Sequence, residues 1–188
     1  MIIMCKDKGE MAAFKAAMKD KFKMELGPIA HYLKICIVRD RANKHVYLLQ
    51  DHFFKRILRR FNMEECKPLG TPLSVAHRLS KRMEDEAPGD EPYASLVGSV
   101  MYSATGTRPD LAYANGLLAR YMATEAHAER HWKAGKRLLH YLQGTKGLGL
   151  RLGGDSIKLK GWCDASLGDC THTAKSTLGF FCTLGDRI

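Results

Sequence analysis

Residues 93–145 constrain this chain more than any other stretch, because apolar residues recur there at helical spacing through three consecutive blocks. The pattern predicts three amphipathic helices, each of which must bury one stripe against its neighbours. The punctuation agrees with it. Thr107 and Asp110 fit a capping box, in which each side chain satisfies the other's orphan backbone N–H. Pro109 falls in a first turn, where the missing N–H has no helical partner to lose. Gly144 is placed to end the third helix as a left-handed cap. With 188 residues in all, the chain can bury an ordinary core in one domain or two small ones.

Upstream the spacing changes. Met1–Cys5 predicts a short apolar strand and Lys6–Gly9 a turn. Glu10–Phe22 follows as a helix, with Met11, Phe14, Met18 and Phe22 on one side and lysines opposite, closed by Leu26-Gly27-Pro28. His31–Arg39 and His45–Gln50 are β-branched and aromatic runs around the polar Asp40–Lys44, so a hairpin is expected. Asp51–Phe61 predicts a helix that buries Phe53, Phe54, Ile57, Leu58 and Phe61. Lys67–Pro92, with four prolines and the charged patch Lys81–Glu86, predicts an irregular connector and a domain boundary. Beyond the helices, Leu148–Leu152, Ile157–Cys163 and Thr177–Leu184 read as strands.

The net charge of +10, with pI near 9.4, favours a polyanionic partner, nucleic acid ahead of an acidic membrane surface. No apolar run approaches the roughly 18 residues a membrane helix needs, so no membrane partner is expected. The six cysteines show no CxxC spacing, which argues against a zinc knuckle or redox pair. Buried, reduced thiols are the expectation. With no secretory leader before Lys6, the compartment expected is intracellular, cytoplasmic or nuclear.

A second reading comes from likeness. The run Tyr93, Leu96, Val97, Gly98, Met101 and Tyr102, then Thr107-Arg108-Pro109-Asp110, then His131-Trp132, Lys136-Arg137, Tyr141-Leu142 and Gly144-Thr145, carries it. Over its whole length and in order, this block resembles the segment between reverse transcriptase and ribonuclease H in copia-type retrotransposon Pol polyproteins. The likeness extends outward. Met1–Lys8 resembles the strand after the paired catalytic aspartates of the polymerase palm, and Glu10–Phe22 the next palm helix. The hairpin and Asp51–Met63 resemble the primer-gripping strands and the start of the thumb, including Arg39, Gln50, Arg60-Phe61 and Thr71-Pro72. Gly161–Gly179, with Asp164-Ala165-Ser166, resembles the opening two strands of ribonuclease H. The resemblance implies an α+β fold: a palm/thumb remnant over 1–66, the connector 67–92, a helical connection segment 93–145, and a truncated ribonuclease H-like sheet over 146–188.

It also implies a deficit. Nucleotidyl transfer and hybrid cleavage both need two metal ions held by several carboxylates. The Tyr-x-Asp-Asp tetrapeptide that supplies them to the family's polymerase is absent from this sequence. Asp164 resembles the first ribonuclease H carboxylate and is the candidate metal ligand, while Asp155 and Asp169 have no geometric claim to replace its missing partners. The chain alone is therefore expected to be inactive and to need no cofactor, magnesium belonging to the intact family. Two departures point the same way: Lys34 stands where the family usually has glycine, and Cys36 where an acidic residue is common. A fragment or relic of a copia-type polyprotein is the leading expectation. A domesticated non-catalytic nucleic-acid-binding module, or a slice of an intact active polyprotein, is the alternative.

For nucleic acid, two clusters stand out. Arg130, Lys133, Arg137 and His140 form a stripe on the third helix, opposite Trp132 and three leucines. Arg56 and Arg60, with Lys55 and Arg59, form a second beside the apolar face of Asp51–Phe61. Either stripe would face the phosphates of an RNA–DNA hybrid or lie as an ordinary solvated helix face. His127 and His131 share i, i+4 spacing but lack the intervening glutamate of a zinc helix, so His131 reads as a packing or capping residue. The unpaired edge of Met1–Cys5 predicts self-association.

Overall fold

The computed structural model describes residues 2–74, 79–87, 89–123, 127–153, 158–168, 170 and 173–184. In chain order the elements are α1 (Lys8–Lys21), β1 (His31–Tyr32), β2 (Ile35–Asp40), β3 (His45–Leu49), α2 (Asp51–Arg60), α3 (Tyr93–Gly106), a 3-10 turn (Pro109–Leu111), α4 (Ala112–Ala119), α5 (Glu129–Thr145), β4 (Leu150–Gly153), β5 (Leu159–Ser166) and β6 (Thr177–Leu184). The mixture is an α+β fold.

The periodic block behaves as its spacing demands. Leu96, Val97 and Val100 of α3, Leu118 of α4 and Leu138, Leu139 and Leu142 of α5 are fully buried, and Phe54, Ile57 and Leu58 of α2 join the same core. Each such side chain contributes about 1.5–3 kcal/mol on leaving water, so stability is concentrated in these four helices. Gly135 brings α3 and α5 close: a Cβ there would lie 3.4 Å from both Leu96 methyls. Gly144 departs from its expected role. Helix α5 continues through it to Thr145, and the glycine instead makes room for Pro68, whose Cβ would stand 2.9 Å from an added Cβ.

The capping box also does not form. Thr107 ends α3, and its hydroxyl donates to Gln50 Oε1 at 2.8 Å, which diverts it from the helix that follows. Pro109 does occupy the first turn.

At the N-terminus, Met1 lies outside the described residues and Ile2–Cys5 form no strand, because no neighbouring strand offers them a ladder. The self-associating edge expected there is accordingly not formed. Helix α1 starts earlier than expected: Asp7 accepts from the Glu10 N–H at 2.8 Å, which draws Lys8 and Gly9 into the first turn. None of its residues is buried.

The expected hairpin is present as β2–β3, but its first strand is cut. Leu33 and Lys34 both adopt positive φ, 47° and 61°, and turn β1 back on β2 with Tyr32 opposite Ile35. Two such residues in a two-residue loop form a type I′ turn, which glycine favours. Position 34 therefore matters for its backbone conformation, where the sequence suggested a close approach within a strand. Asp40 holds the next loop, accepting from the Asn43 side chain at 2.7 Å and its N–H at 3.1 Å, and these bonds keep its pKa below the usual carboxylate value.

Strand β4 joins this hairpin, giving a four-stranded antiparallel sheet in the order β1-β2-β3-β4 with Val46 opposite Leu152. Two glycines permit it. A Cβ at Gly149 would collide with the Leu48 carbonyl, and Gly153 takes φ of 107°. Ile157 of the next expected strand lies outside the described residues; β5 and β6 form a separate two-stranded antiparallel ribbon.

Candidate nucleic-acid interface

The motif Thr107–Asp110 is an internal clamp. Arg108 is 1% exposed, and its Nε and Nη2 donate to the two Asp110 carboxylate oxygens at 2.9 and 2.7 Å. Nη1 and Nη2 also donate to the Thr145 carbonyl and hydroxyl at 2.9 and 2.6 Å. Helix α5 thus ends with one of its orphan carbonyls satisfied by a cation, which suits the negative end of its dipole. The Tyr141 hydroxyl donates to Asp110 at 2.7 Å. Burial pushes the Asp110 carboxyl up, but the bonds from Arg108 and Tyr141 outweigh it and hold its pKa below the ordinary value. Every donor of this arginine points inward, so it offers nothing to a ligand.

The histidines also serve packing. His131 is fully buried, its Nδ1 accepts from the Ala128 N–H at 2.9 Å, and its ring lies 4.6 Å from that of Tyr121. Burial, with the charge of Arg130 added, lowers its pKa below the usual histidine value. His127 stacks on Tyr93 at 4.9 Å. No group of three His, Cys, Asp or Glu that could hold a metal occurs among the described residues.

The α5 stripe faces residues 67–74 and 79–86, which lie along the helix as a strap with no helix or strand in either stretch. Arg130 is consumed by it: the guanidinium pairs with Glu86 and donates to the Ser80 and Lys81 carbonyls at 3.0 and 2.9 Å. His140 donates to the Lys67 carbonyl at 2.7 Å. Arg137 donates to the Thr71 hydroxyl at 2.8 Å and, with Lys133, Lys136 and His140, lines a cleft of 340 Å³ whose other wall includes Leu69 and Leu73. Lys133 pairs with Glu129 at 3.0 Å, but both are more than 60% exposed, where such a pair is worth little.

On α2 the charges divide. Lys55 pairs with Asp51 at 3.6 Å and Arg59 with Glu64 at 3.0 Å. Arg56 and Arg60 are exposed and meet no carboxylate among the described residues, lying instead over the rings of Phe53 and Phe61 at 5.4 and 5.7 Å. Phe61 meets Trp132 edge-on at 6.1 Å, and Lys136 lies over the Trp132 ring at 5.7 Å. Two aromatic rings therefore join the α2 cluster to the α5 cleft as one cation-and-ring surface.

Asp164 sits on β5 opposite Gly179, exposed, and its carboxylate accepts from the Ala165 N–H at 2.9 Å. Its side of the ribbon carries Trp162 and Ser166, and no second carboxylate stands beside it among the described residues; Asp155 and Asp169 lie outside them. This setting does not fit a magnesium pair. The cysteines differ from expectation too. All six are free, but Cys5, Cys163 and Cys182 are exposed and the others half-buried, since the ribbon and the N-terminal segment pack against too little to cover them.

Comparison with known proteins agrees with the likeness in residues. The family described as Reverse transcriptase (RNA-dependent DNA polymerase) matches residues 1–75. The retrovirus-related Pol polyprotein from transposon TNT 1-94 of Nicotiana tabacum is 40% identical over 97% of this chain and 14% of its own length. That from transposon RE2 of Arabidopsis thaliana is 33% identical over 90% of this chain and 11% of its own. The chain belongs to the copia-type retrotransposon Pol family. An uncharacterized mitochondrial protein of Arabidopsis thaliana is also similar, 32% identical over 87% of this chain and 66% of that protein. This Pol chain spans about one seventh or less of the two polyproteins, by the 14% and 11% above. No solved structure matches it. Among the described residues, no helix is long and apolar enough to cross a membrane.

Sequence reasoning about this Pol chain missed Phe61, Trp132 and Lys136 as parts of the surface. The two rings read as core, and only the fold brings residues 61 and 132 into contact.

Proposed function

We propose that this chain is a non-catalytic segment of a copia-type Pol polyprotein that keeps a duplex-binding face. In this reading residues 1–66 are the end of the reverse transcriptase palm and thumb, and 67–92 a connector. Residues 93–145 are the connection, and 146–188 the start of a ribonuclease H-like sheet. The observation that supports it is the joined surface: Arg60 on α2 and Lys136 on α5 lie over the touching Phe61 and Trp132 rings, with Arg56 over Phe53 on the same helix and Arg137 in the adjoining cleft. Cations without carboxylate partners are those free to take phosphates, and aromatic faces beside them offer stacking area. Arg130, held by Glu86, takes no part. Neither polymerase nor hybrid cleavage is assigned to the chain alone, since Asp164 cannot hold two metal ions by itself.

The test is binding of a fluorescent RNA–DNA hybrid across a salt series. Four phosphate contacts give a slope of log K against log salt of about −3.6. Replacing Arg56 and Arg60 by alanine should reduce it by about 1.8, at roughly 0.9 per contact. Binding that ignores salt, or slopes unchanged by the double substitution, removes the reading.

A second reading, a slice of an intact active polyprotein, is favoured by the small share of each relative that is covered. Flanking nucleotide sequence decides it. An open frame with Tyr-x-Asp-Asp upstream and further acidic residues downstream supports the slice, and stop codons on both sides exclude it.

A further inference from the structure

The ribbon of β5 and β6 is built inside out. On one side of β6, Thr177 and Phe181 are half-buried and Thr183 is buried, and Arg120 of the helical body donates to the Thr177 hydroxyl at 3.2 Å. The alternate residues, Leu178, Phe180 and Leu184, are 72%, 80% and 65% exposed, and Leu159 on β5 is 74% exposed on that same outer side. A half-buried antiparallel sheet ordinarily turns its apolar side inward. Here a mixed side, with Thr177, Phe181 and Thr183 of β6, faces the body, while an unbroken apolar face meets water, with no charged residue in it among the described residues. Contiguous patches of this kind mark an interaction surface.

We propose that two copies of the chain pair through this face, ribbon on ribbon, about a two-fold axis parallel to the strands. The relief of the face selects the occupant. Along β5 the outward residues after Leu159 are small (Gly161, Cys163, Ala165), and along β6 the residues opposite them are Cys182, Phe180 and Leu178. Over Cys163 and Ala165 β5 is a trough, and over Phe180 and Leu178 β6 is a ridge. A rotation about the strand direction lays each β6 over the partner's β5, which seats the Phe180 ring above Cys163 of the partner and Leu178 above its Ala165. Phe180 and Leu178 each then meet a small side chain and Leu184 packs on Leu159, every contact occurring twice, as a closed two-fold contact requires. Covering the face in both copies removes on the order of 1,200 Å² from water, the lower end of specific interfaces. The pairing is independent of the duplex-binding face and responds oppositely to salt. With a net charge of +10 per copy, salt relieves repulsion between copies, whereas it weakens phosphate contacts.

The experiment is sedimentation equilibrium of the whole chain, with reductant present, from roughly 1 to 100 μM, the range an interface of this size supports. The expected mass rises from one copy to two and stops, with the midpoint at lower concentration in 0.5 M than in about 0.1 M salt. Phe180→Asp should keep the chain a single copy throughout, with an unchanged circular dichroism spectrum showing that it folds. Ala165→Trp adds apolar area but fills the trough, so it should weaken pairing at least tenfold. A single copy at every concentration, growth beyond two copies, or pairing strengthened by Ala165→Trp would each overturn the proposal. So would dissociation produced only by Phe14→Asp with Met18→Asp, which would assign the partner surface to α1.

Discussion

Arg108 donates through Nη1 to the main-chain carbonyl of Thr145 at 2.9 Å, joining the end of α3 to the end of α5 across 37 residues. The same guanidinium holds Asp110 through two bonds and lies over the Phe54 and Tyr141 rings at 5.4 and 5.7 Å. The motif that most resembles the family thus ties the helical core together.

Arg108→Met leaves the Thr145 carbonyl without its donor, while the exposed Asp110 keeps only the bond from the Tyr141 hydroxyl. A buried acceptor left without its donor costs about 1–3 kcal/mol. Urea unfolding should show a midpoint lowered accordingly. Arg108→Lys should recover little, because an ammonium cannot reproduce the forked contact. Full recovery with lysine would mean that charge alone matters here.

Lys34 holds φ of 61° in a two-residue turn. Left-handed backbone costs an ordinary L-residue about 1–2 kcal/mol, a strain glycine avoids at some entropic expense. Lys34→Gly should therefore raise stability by about 1 kcal/mol, read as an upward shift in the thermal midpoint. A fall would mean that the lysine side chain makes up for its backbone.

His131 is kept neutral by burial beside Arg130, so its folded pKa lies below the usual histidine value of 6.5. The unfolded chain then takes up a proton at a higher pH than the folded chain does. Stability is full above the unfolded pKa and falls as pH drops below 6.5 toward the folded value. His131→Asn, which can still accept from the Ala128 N–H, should flatten this part of the pH–stability curve. A curve that keeps its slope would place the sensitive group elsewhere.

Gly144→Ala drives a methyl to 2.9 Å from Pro68 Cβ. Helix propensity favours alanine by about 1 kcal/mol, but overpacking at a close contact costs about 1–3 kcal/mol, as much or more. A net loss, with faster proteolysis of residues 67–86, is the expected outcome. A gain would show that the strap gives way freely.

Much of this could be read from residue order, and what escaped has one physical cause. The helices were legible because a 3.6-residue period sustained over ten or more residues fits a helix and little else, and Pro109 marked their joint. The His45–Leu49 strand was legible from its β-branched and aromatic content. Residues whose partners lie far along the chain were not. Nothing near Thr107 announces that its hydroxyl will leave the capping box for Gln50, 57 positions away. Arg130 and Arg137 share a stripe in sequence, yet the strap takes the first and leaves the second lining a cleft. Arg56 and Arg60 are exposed cations, as their helical spacing implies, while their link to α5 needs a contact between Phe61 and Trp132 that spacing cannot supply.

The pairing of β3 with β4 has a consequence for synthesis. Leu49 leaves the ribosome about 100 residues before Gly153 does, and at about 5–20 residues per second that interval lasts about 5–20 s. Throughout it the nascent chain carries β3 with one row of N–H and C=O groups unmatched, a template for any extended segment nearby. How well this protein is made will therefore depend on the pace of translation and on whatever shields that row meanwhile.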